Sequence, residues 1–349
     1  MSEATKHFRH GKVTIVEVAN HLGLHPSTVS RALNPDTRKM VSSAVVKKVA
    51  AAAKKLGYVP NSMASALKTG RSAMVGILVP DLSDPVFPPI IRGAQQELEK
   101  EGLTTLVASS YENAQQERVA IRTMRSRLVD GLMIATAKRH DPLVEECLAQ
   151  GIPLVLIYRT VENRSVSAVV NDDAYGIRAA TEHLIGLGHC RMAHVGGPQN
   201  TSTGCIRRQA FMDAMQANGL EVNPDLLAFA EEYTAPEGYA KLKRIMARTK
   251  QFTAVVAASD VLALGCLDAL AEAGLRCPED VSLTGYNDIP MVGRISPPLT
   301  TLRIQHVEMG RLAARTLLEL LNDGNLAPRT TYLRPELVIR GSSAKPGSR

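Results

Sequence analysis

The chain has no tryptophan, and aromatic residues make up only 4% of its 349 positions. A base-stacking platform for single-stranded nucleic acid needs several exposed rings, so that mode of binding is the first to be excluded. Long apolar runs are missing as well: none approaches the ~18 residues that span a bilayer, so no membrane role is expected. The N-terminal stretch MSEATKHFRHGK is polar and has no apolar signal core, which favours a cytoplasmic location over export. Cysteine is sparse. Cys147, Cys190, Cys205, Cys266 and Cys277 are odd in number, far apart, and show no CxxC or Cys/His zinc spacing, so they read as reduced residues in a cytoplasm.

Catalytic signatures are equally scarce. There is no phosphate loop, no dinucleotide-binding glycine fingerprint, no HExxH and no GxSxG. Gly196-Gly197-Pro198 lacks the glycine spacing and reads as a turn, and His189, after Gly188, reads as a helix end. No histidine sits with carboxylates at metal spacing. Neither an enzyme, a cofactor nor a metal is therefore expected.

What is present is ordinary globular composition, 45% hydrophobic and 21% charged, over a length of two or more folding units. The formal charge of +7 is unevenly spread. Residues 1–72 carry +9 and the remaining 277 carry −2. A basic head on a nearly neutral body is the electrostatic footprint of a nucleic-acid-binding module.

That head has helical periodicity. Thr14-Ile15-Val16-Glu17 fits a capping box, with Val16, Val18, Ala19 and Leu22 as the apolar face that follows, and Gly23 as a turn. A second helix starts at Pro26, with Val29 and Leu33 facing the core and Ser27, Thr28 and Arg31 on the other face. A third, capped by Ser42 or Ser43, has Val45, Val46, Val49, Ala53 and Leu56 along one stripe and Lys47, Lys48, Lys54 and Lys55 along another. Two short helices about a glycine turn, closed by a third, form a helix-turn-helix. The second helix would enter the major groove, where Arg31 can read guanine and Ser27 either base type, while lysines hold phosphates.

The runs VTIVEVANHLGLHPSTVSRALN and MVSSAVVKKVAAAAKKLGYVPNSMASALKTGRS resemble the DNA-binding head and hinge of the lactose-repressor/galactose-repressor (LacI/GalR) family of bacterial transcription regulators. RLVDGLMI, HLIGLGH, PEDVSLTGYND and PPLTTLR extend the resemblance over about residues 13–342. It implies DNA contacts from Thr14, Pro26, Ser27, Thr28, Ser30, Arg31, Asn34, Arg38 and Lys39. It also implies a hinge over Asn61 to Lys68 that becomes helical on specific DNA. Leu67 would wedge into the minor groove with Lys68 beside it. Pro26 offers no side-chain hydrogen bond, and Val45-Val46 stand where the family often has Thr-Arg.

Beyond Ser72, short β-branched runs alternate with helical stretches. Met74–Val79, Leu103–Ala108, Leu132–Ala135 and Leu154–Ile157 form one set. A second begins near Val169 and includes Arg191–Val195, Ala254–Ala258 and Ser282–Tyr286. Alternation of this kind predicts parallel sheets with helices on both faces, and two sets predict two lobes with a ligand cleft at strand carboxyl ends. The resemblance implies a periplasmic-binding-protein-like body whose chain crosses between lobes near Val170, Leu302 and Thr331. The expected fold is thus an all-α helix-turn-helix head over 1–58, a hinge over 59–72 and an α/β two-lobed body. The first lobe takes 73–170 with 303–330 and the second 171–302 with 331–342, leaving 343–349 as a disordered tail.

Asp84, Phe87, Tyr158, Thr203, Arg207, Ser259 and Asn287 are the candidate effector contacts. Arg207, one turn into a helix, matches the family position that binds an effector's hydroxyl or carboxylate. Ser259 stands where the family usually has Asn, and Asp260 reads as a helix cap. Asn287 replaces an Asp that accepts two sugar hydroxyls in many members, which weakens a sugar effector without removing it.

These features predict a homodimeric DNA-binding transcriptional regulator, a repressor, on double-stranded, near-palindromic operator DNA. A small-molecule effector between the lobes, a sugar or sugar acid, would control it. Two alternatives are a solute-binding protein of the same body fold and a DNA-binding head fused to an enzyme. The basic head and missing signal core oppose the first, and the missing catalytic constellation opposes the second.

Overall fold

The computed structural model describes residues 13–34, 37–58 and 72–347. The chain divides into two units, Met1–Ser72 and Ala73–Arg349.

In the first unit, Thr14 caps α1 (Ile15–Leu22) with a complete box: the Glu17 N–H donates to Thr14 Oγ1 at 3.3 Å and the Thr14 N–H to Glu17 Oε2 at 2.6 Å. Gly23 closes the helix at φ +64°, where a side chain would be strained. Pro26 opens α2 (Pro26–Leu33), and α3 (Ser43–Leu56) follows a 3-10 turn at Arg38–Met40. Val18, Ala19, Val29, Ala32, Val49 and Ala52 form the core, with Ile15, Leu22 and Leu33 packed around it. Val16 was expected in that core but is 49% exposed. The helical repeat that runs through Val18, Ala19 and Leu22 returns to Ile15. Ser42 occupies the cap position of α3, but its side chain makes no capping hydrogen bond.

The second unit begins with β1 (Met74–Val79), α4 (Phe87–Lys100), β2 (Thr104–Ser109), α5 (Ala114–Ser126), β3 (Gly131–Ile134), α6 (Pro142–Ala149), β4 (Leu154–Ile157) and β5 (Ser167–Asn171). It continues with α7 (Asp173–Gly186), β6 (Met192–Gly196), α8 (Ser202–Ala217), β7 (Leu227–Phe229), α9 (Ala235–Arg248), β8 (Ala254–Ala257), α10 (Asp260–Glu272) and β9 (Ser282–Thr284). It ends with β10 (Thr301–Arg303), α11 (His306–Asn322), β11 (Thr330–Leu333) and β12 (Glu336–Val338).

Six strands form one parallel sheet in the order β11-β5-β4-β3-β1-β2, and four form a second in the order β7-β6-β8-β9. Alternation along β1 shows how the first sheet is covered twice. Val75, Ile77 and Val79 join the cluster containing Ile90 and Leu98 of α4 and Leu317 of α11. Leu78 joins the opposite cluster with Ile121 and Met124 of α5. A strand buried on both faces has to be apolar at every position, as MVGILV is. Helices α4 and α11 approach backbone to backbone: a Cβ on Gly310 would lie 1.9 Å from the Ile90 carbonyl oxygen, and one on Gly93 2.0 Å from that of Val307.

The chain crosses between sheets after β5, through β10, and between β11 and β12, with β10 and β12 paired antiparallel. Two expectations need correction. Val169 lies in β5 of the first sheet and does not begin the second set. Thr331 lies in β11, which pairs with β5, so the last crossing follows Leu333 and not Thr331.

The start of the expected disordered tail is also corrected, for Ser343 and Ala344 are held by hydrogen bonds to the body. The Ser342 carbonyl accepts from the Leu283 N–H at 2.7 Å along β9, and the Ala344 N–H donates to Ser282 Oγ at 3.0 Å. His189 reaches the Ala344 carbonyl through Nε2 at 2.8 Å. This segment covers the open edge of β9, which would otherwise expose unpaired backbone groups.

Candidate DNA interface and effector cleft

On the head, burial of Val29 and Ala32 turns the opposite face of α2 outward. Ser27 and Arg31 are exposed there, and Thr28, Ser30, Pro26 and Asn34 are half-buried. Arg38 and Lys39 are exposed on the 3-10 turn, which Thr37 ties to α2 by donating its hydroxyl to the Arg31 carbonyl at 3.2 Å. Ser27 is less available for base reading than its sequence position implies. His25 caps α2, its Nδ1 accepting from the Ser27 N–H at 3.2 Å, and the same nitrogen lies 2.8 Å from Ser27 Oγ. Thr14 is exposed but spends its hydroxyl on the capping box. The hinge candidates Asn61, Leu67 and Lys68 lie outside the described residues.

In the second unit, the carboxyl ends of the two sheets face each other, and side chains from both lobes meet there in direct hydrogen bonds. Arg207, from α8, is completely buried. Its Nε and Nη2 donate to Asp173 Oδ1 at 2.9 and 2.7 Å, and Nη1 donates to the Ala258 carbonyl at 2.7 Å. The guanidinium lies over the Tyr286 ring, 3.8 Å from its centroid. Burial opposes its charge, but the Asp173 carboxylate and the surrounding phenols more than compensate and hold its pKa well above the ordinary value.

Tyr158 enters from the end of β4. Its hydroxyl donates to Asn287 Oδ1 at 2.9 Å and lies 3.4 Å from Arg207 Nη2. Its ring stands edge-on to Phe87 at 5.7 Å, and burial pushes the phenol pKa up to about 12. Two backbone amides also donate across the cleft, the Arg139 N–H to the Asn200 carbonyl at 2.9 Å and the Thr160 N–H to Ser202 Oγ at 3.0 Å.

The other candidates are placed less directly. Thr203 Oγ1 is 3.1 Å from the Tyr233 hydroxyl. Asp84 accepts from the Val86 N–H at 3.0 Å, and burial raises its pKa. Ser259 is the N-cap of α10, accepting from the Leu262 N–H at 3.2 Å. Capping therefore falls to Ser259 and not, as expected, to Asp260. Asp260 instead accepts from Thr301 Oγ1 at 2.5 Å and from the Ile289 N–H at 2.8 Å, fastening β10 to the second lobe. Tyr158, Arg207 and Asn287 thus form one hydrogen-bonded group with Phe87 against it, while Asp84, Thr203 and Ser259 are held by local partners.

The profile for bacterial regulatory proteins of the lacI family matches residues 14–61, and that for a periplasmic binding protein-like domain matches 181–343. The HTH-type transcriptional regulator CelR of Thermobifida fusca is 32% identical, with 96% of this chain and 99% of that protein covered. The chain belongs to the lacI family of bacterial regulatory proteins. A structure of a CelR–cellobiose complex covers 95% of this LacI-family chain and all of its own, with a TM-score of 0.73 at 30% identity. The lac repressor dimer bound to operator and an anti-inducer shares the fold at a TM-score of 0.84 and 24% identity, covering 95% of this chain and 99% of its own. The chain is therefore a DNA-binding transcription regulator, in a family that is not enzymatic. No helix among the described residues is long and apolar enough to cross a membrane.

Two cleft residues, Asp173 and Glu112, were missed in the sequence. Asp173 hides in a pair of acids at the start of α7, where Asp172 is the cap. Glu112 receives Arg159 Nη2 at 2.8 Å and Nη1 at 3.3 Å, a bidentate pair with Arg159 only 2% exposed. Glu112 has no signal in sequence beyond following a strand.

Proposed function

We propose that this chain is a cytoplasmic, homodimeric repressor that places α2 of each protomer in the major groove of a near-palindromic operator. Two-fold symmetry of the protein then matches two half-sites. On α2, Arg31 is the base reader, supported by Thr28 and Ser30. Ser27 contributes less, because its hydroxyl already has a partner on His25. Arg38, Lys39 and the lysines of α3 supply phosphate contacts.

In the cleft, Phe87, Arg207 and Asn287 take an uncharged, polyhydroxylated effector, of which cellobiose on CelR is an example. The carrying observation is that Arg207 is already neutralised, with three hydrogen bonds spent on Asp173 and the Ala258 carbonyl. Arg159 is matched by Glu112 in the same way. Each guanidinium already has its carboxylate, with only Arg159 Nε left unpartnered, and bringing an anion beside Asp173 would leave a buried charge uncompensated. A sugar is therefore favoured over a sugar acid.

The test is thermal stabilisation of the full chain by neutral mono- and disaccharides, cellobiose included, against the matching aldonic acids. Neutral sugars are expected to raise Tm, and Arg207→Ala to abolish the rise. Stabilisation by the acids alone would overturn the assignment.

A further inference from the structure

We propose that Tyr158 latches the two lobes by placing its own hydroxyl where an effector hydroxyl would sit, between Arg207 and Asn287. The proposal rests on the effector reading of the cleft and assigns this residue a regulatory part in it. Tyr158 belongs to the first lobe, at the end of β4, and both its polar partners belong to the second. Its hydroxyl donates to Asn287 Oδ1 at 2.9 Å and faces the Nη2 donor of Arg207 at 3.4 Å. It thus makes one donor and one acceptor contact, as a sugar alcohol would.

The backbone at both ends of this contact is unusual. Tyr158 has φ +69° and Asn287 has φ +118°, although neither is glycine. Such residues cost about 1–3 kcal/mol each and persist where surrounding contacts hold them. Here two of them meet tip to tip across the cleft. Phe87 backs the ring from within the first lobe at 5.7 Å, so the phenol is aimed and not free to swing. An effector that reaches Arg207 and Asn287 through a hydroxyl has to displace the phenol. Effector affinity is then set partly by how strongly the latch holds, and the lobes close on Tyr158 when no effector is bound.

Two backbone amides report the closure directly. The Arg139 and Thr160 N–H groups of the first lobe donate to Asn200 and Ser202 of the second. Hydrogen exchange of the full chain without added sugar measures how often those bonds open. The Leu132 amide, bonded to the Pro153 carbonyl, and the Ala258 amide, bonded to the Val195 carbonyl, serve as controls within single lobes.

Tyr158→Phe is expected to speed exchange at Arg139 and Thr160 by about 3- to 10-fold, the worth of one neutral hydrogen bond. Tyr158→Ala should speed it further, and Asn287→Gly, which tolerates the backbone angle, should match Tyr158→Phe. The control amides should not change. Unchanged exchange at Arg139 and Thr160 in Tyr158→Phe and Asn287→Gly, with controls intact, would overturn the latch. If Tyr158→Ala also loses the control amides, it has unfolded, and the two milder variants decide. Because no sugar is used, failure here leaves the effector reading standing, whereas a failed sugar panel leaves the contact between the lobes standing but removes the phenol's part as a stand-in for an effector hydroxyl.

Discussion

Single residues in the body show where charge is tolerated and where it costs stability. Glu117 on α5 is only 3% exposed, and its Oε1 has no hydrogen-bond partner. Burial pushes its pKa from 4.5 to about 7, with Lys138 pulling it down and Asp141 and Glu112 adding to the rise. The folded state therefore binds a proton that the unfolded state releases between pH 4.5 and about 7. Stability contributed by this group is present below that window and lost as pH rises through it. Glu117→Gln should raise Tm at pH 8, at roughly 2–4 °C per kcal/mol for a body of this size, and change little at pH 5. Scanning calorimetry at the two pH values checks this, and an equal shift at both would remove the carboxyl's titration as the cause. Glu117 was not legible as a buried acid, because a glutamate near a helix start ordinarily faces water. Arg207 was legible, but its commitment to Asp173 was not, since that partner comes from another element.

Elements were more legible than contacts. Met74–Val79 and Leu154–Ile157 stand where their apolar runs placed them, because a strand covered on both faces must be continuously apolar. Residues 331–333 were assigned to the wrong side of a crossing, and the second strand set was begun too early, at Val169, since apolar pattern marks a strand but not the sheet it joins. The glycines of α4 and α11 had no periodic signal at all. The two backbones touch at Gly310 and Gly93, leaving no room for a methyl group on either. Gly310→Ala has to push the helices apart and open the cluster that holds Ile90, Leu98 and Leu317. A loss of about 1–3 kcal/mol or more is expected, in line with overpacked cores, read as a lower urea midpoint. The transition of the head, whose core is separate, should stay in place. An unchanged midpoint for the body would show that the helices can slide without cost.

The whole molecule is organised by charge as much as by fold. The +9 of residues 1–72 against −2 for the rest places the attraction for phosphate on the head and leaves the sensing body nearly neutral. Binding to generic duplex DNA should then fall steeply with salt, because each neutralised phosphate contributes about −0.9 to the slope of log K against log salt. Lys47 and Lys48 are exposed on α3, beside the core position Val49. Changing both to glutamine should lower the magnitude of that slope by up to about 1.8 if both meet phosphate. Arg31→Ala is the contrasting variant: it should weaken operator binding more than generic binding, since a base contact carries sequence information and a phosphate contact does not. Titrations of both DNAs at 50 and 200 mM salt separate the two. A slope unaffected by the lysine pair would turn α3 away from the duplex and move phosphate binding to Arg38 and Lys39. Coupling to the cleft is reciprocal in free energy, so an effector that loosens operator binding must itself bind more weakly to the operator complex. Measuring sugar affinity with and without operator therefore tests that coupling without any knowledge of the regulated genes.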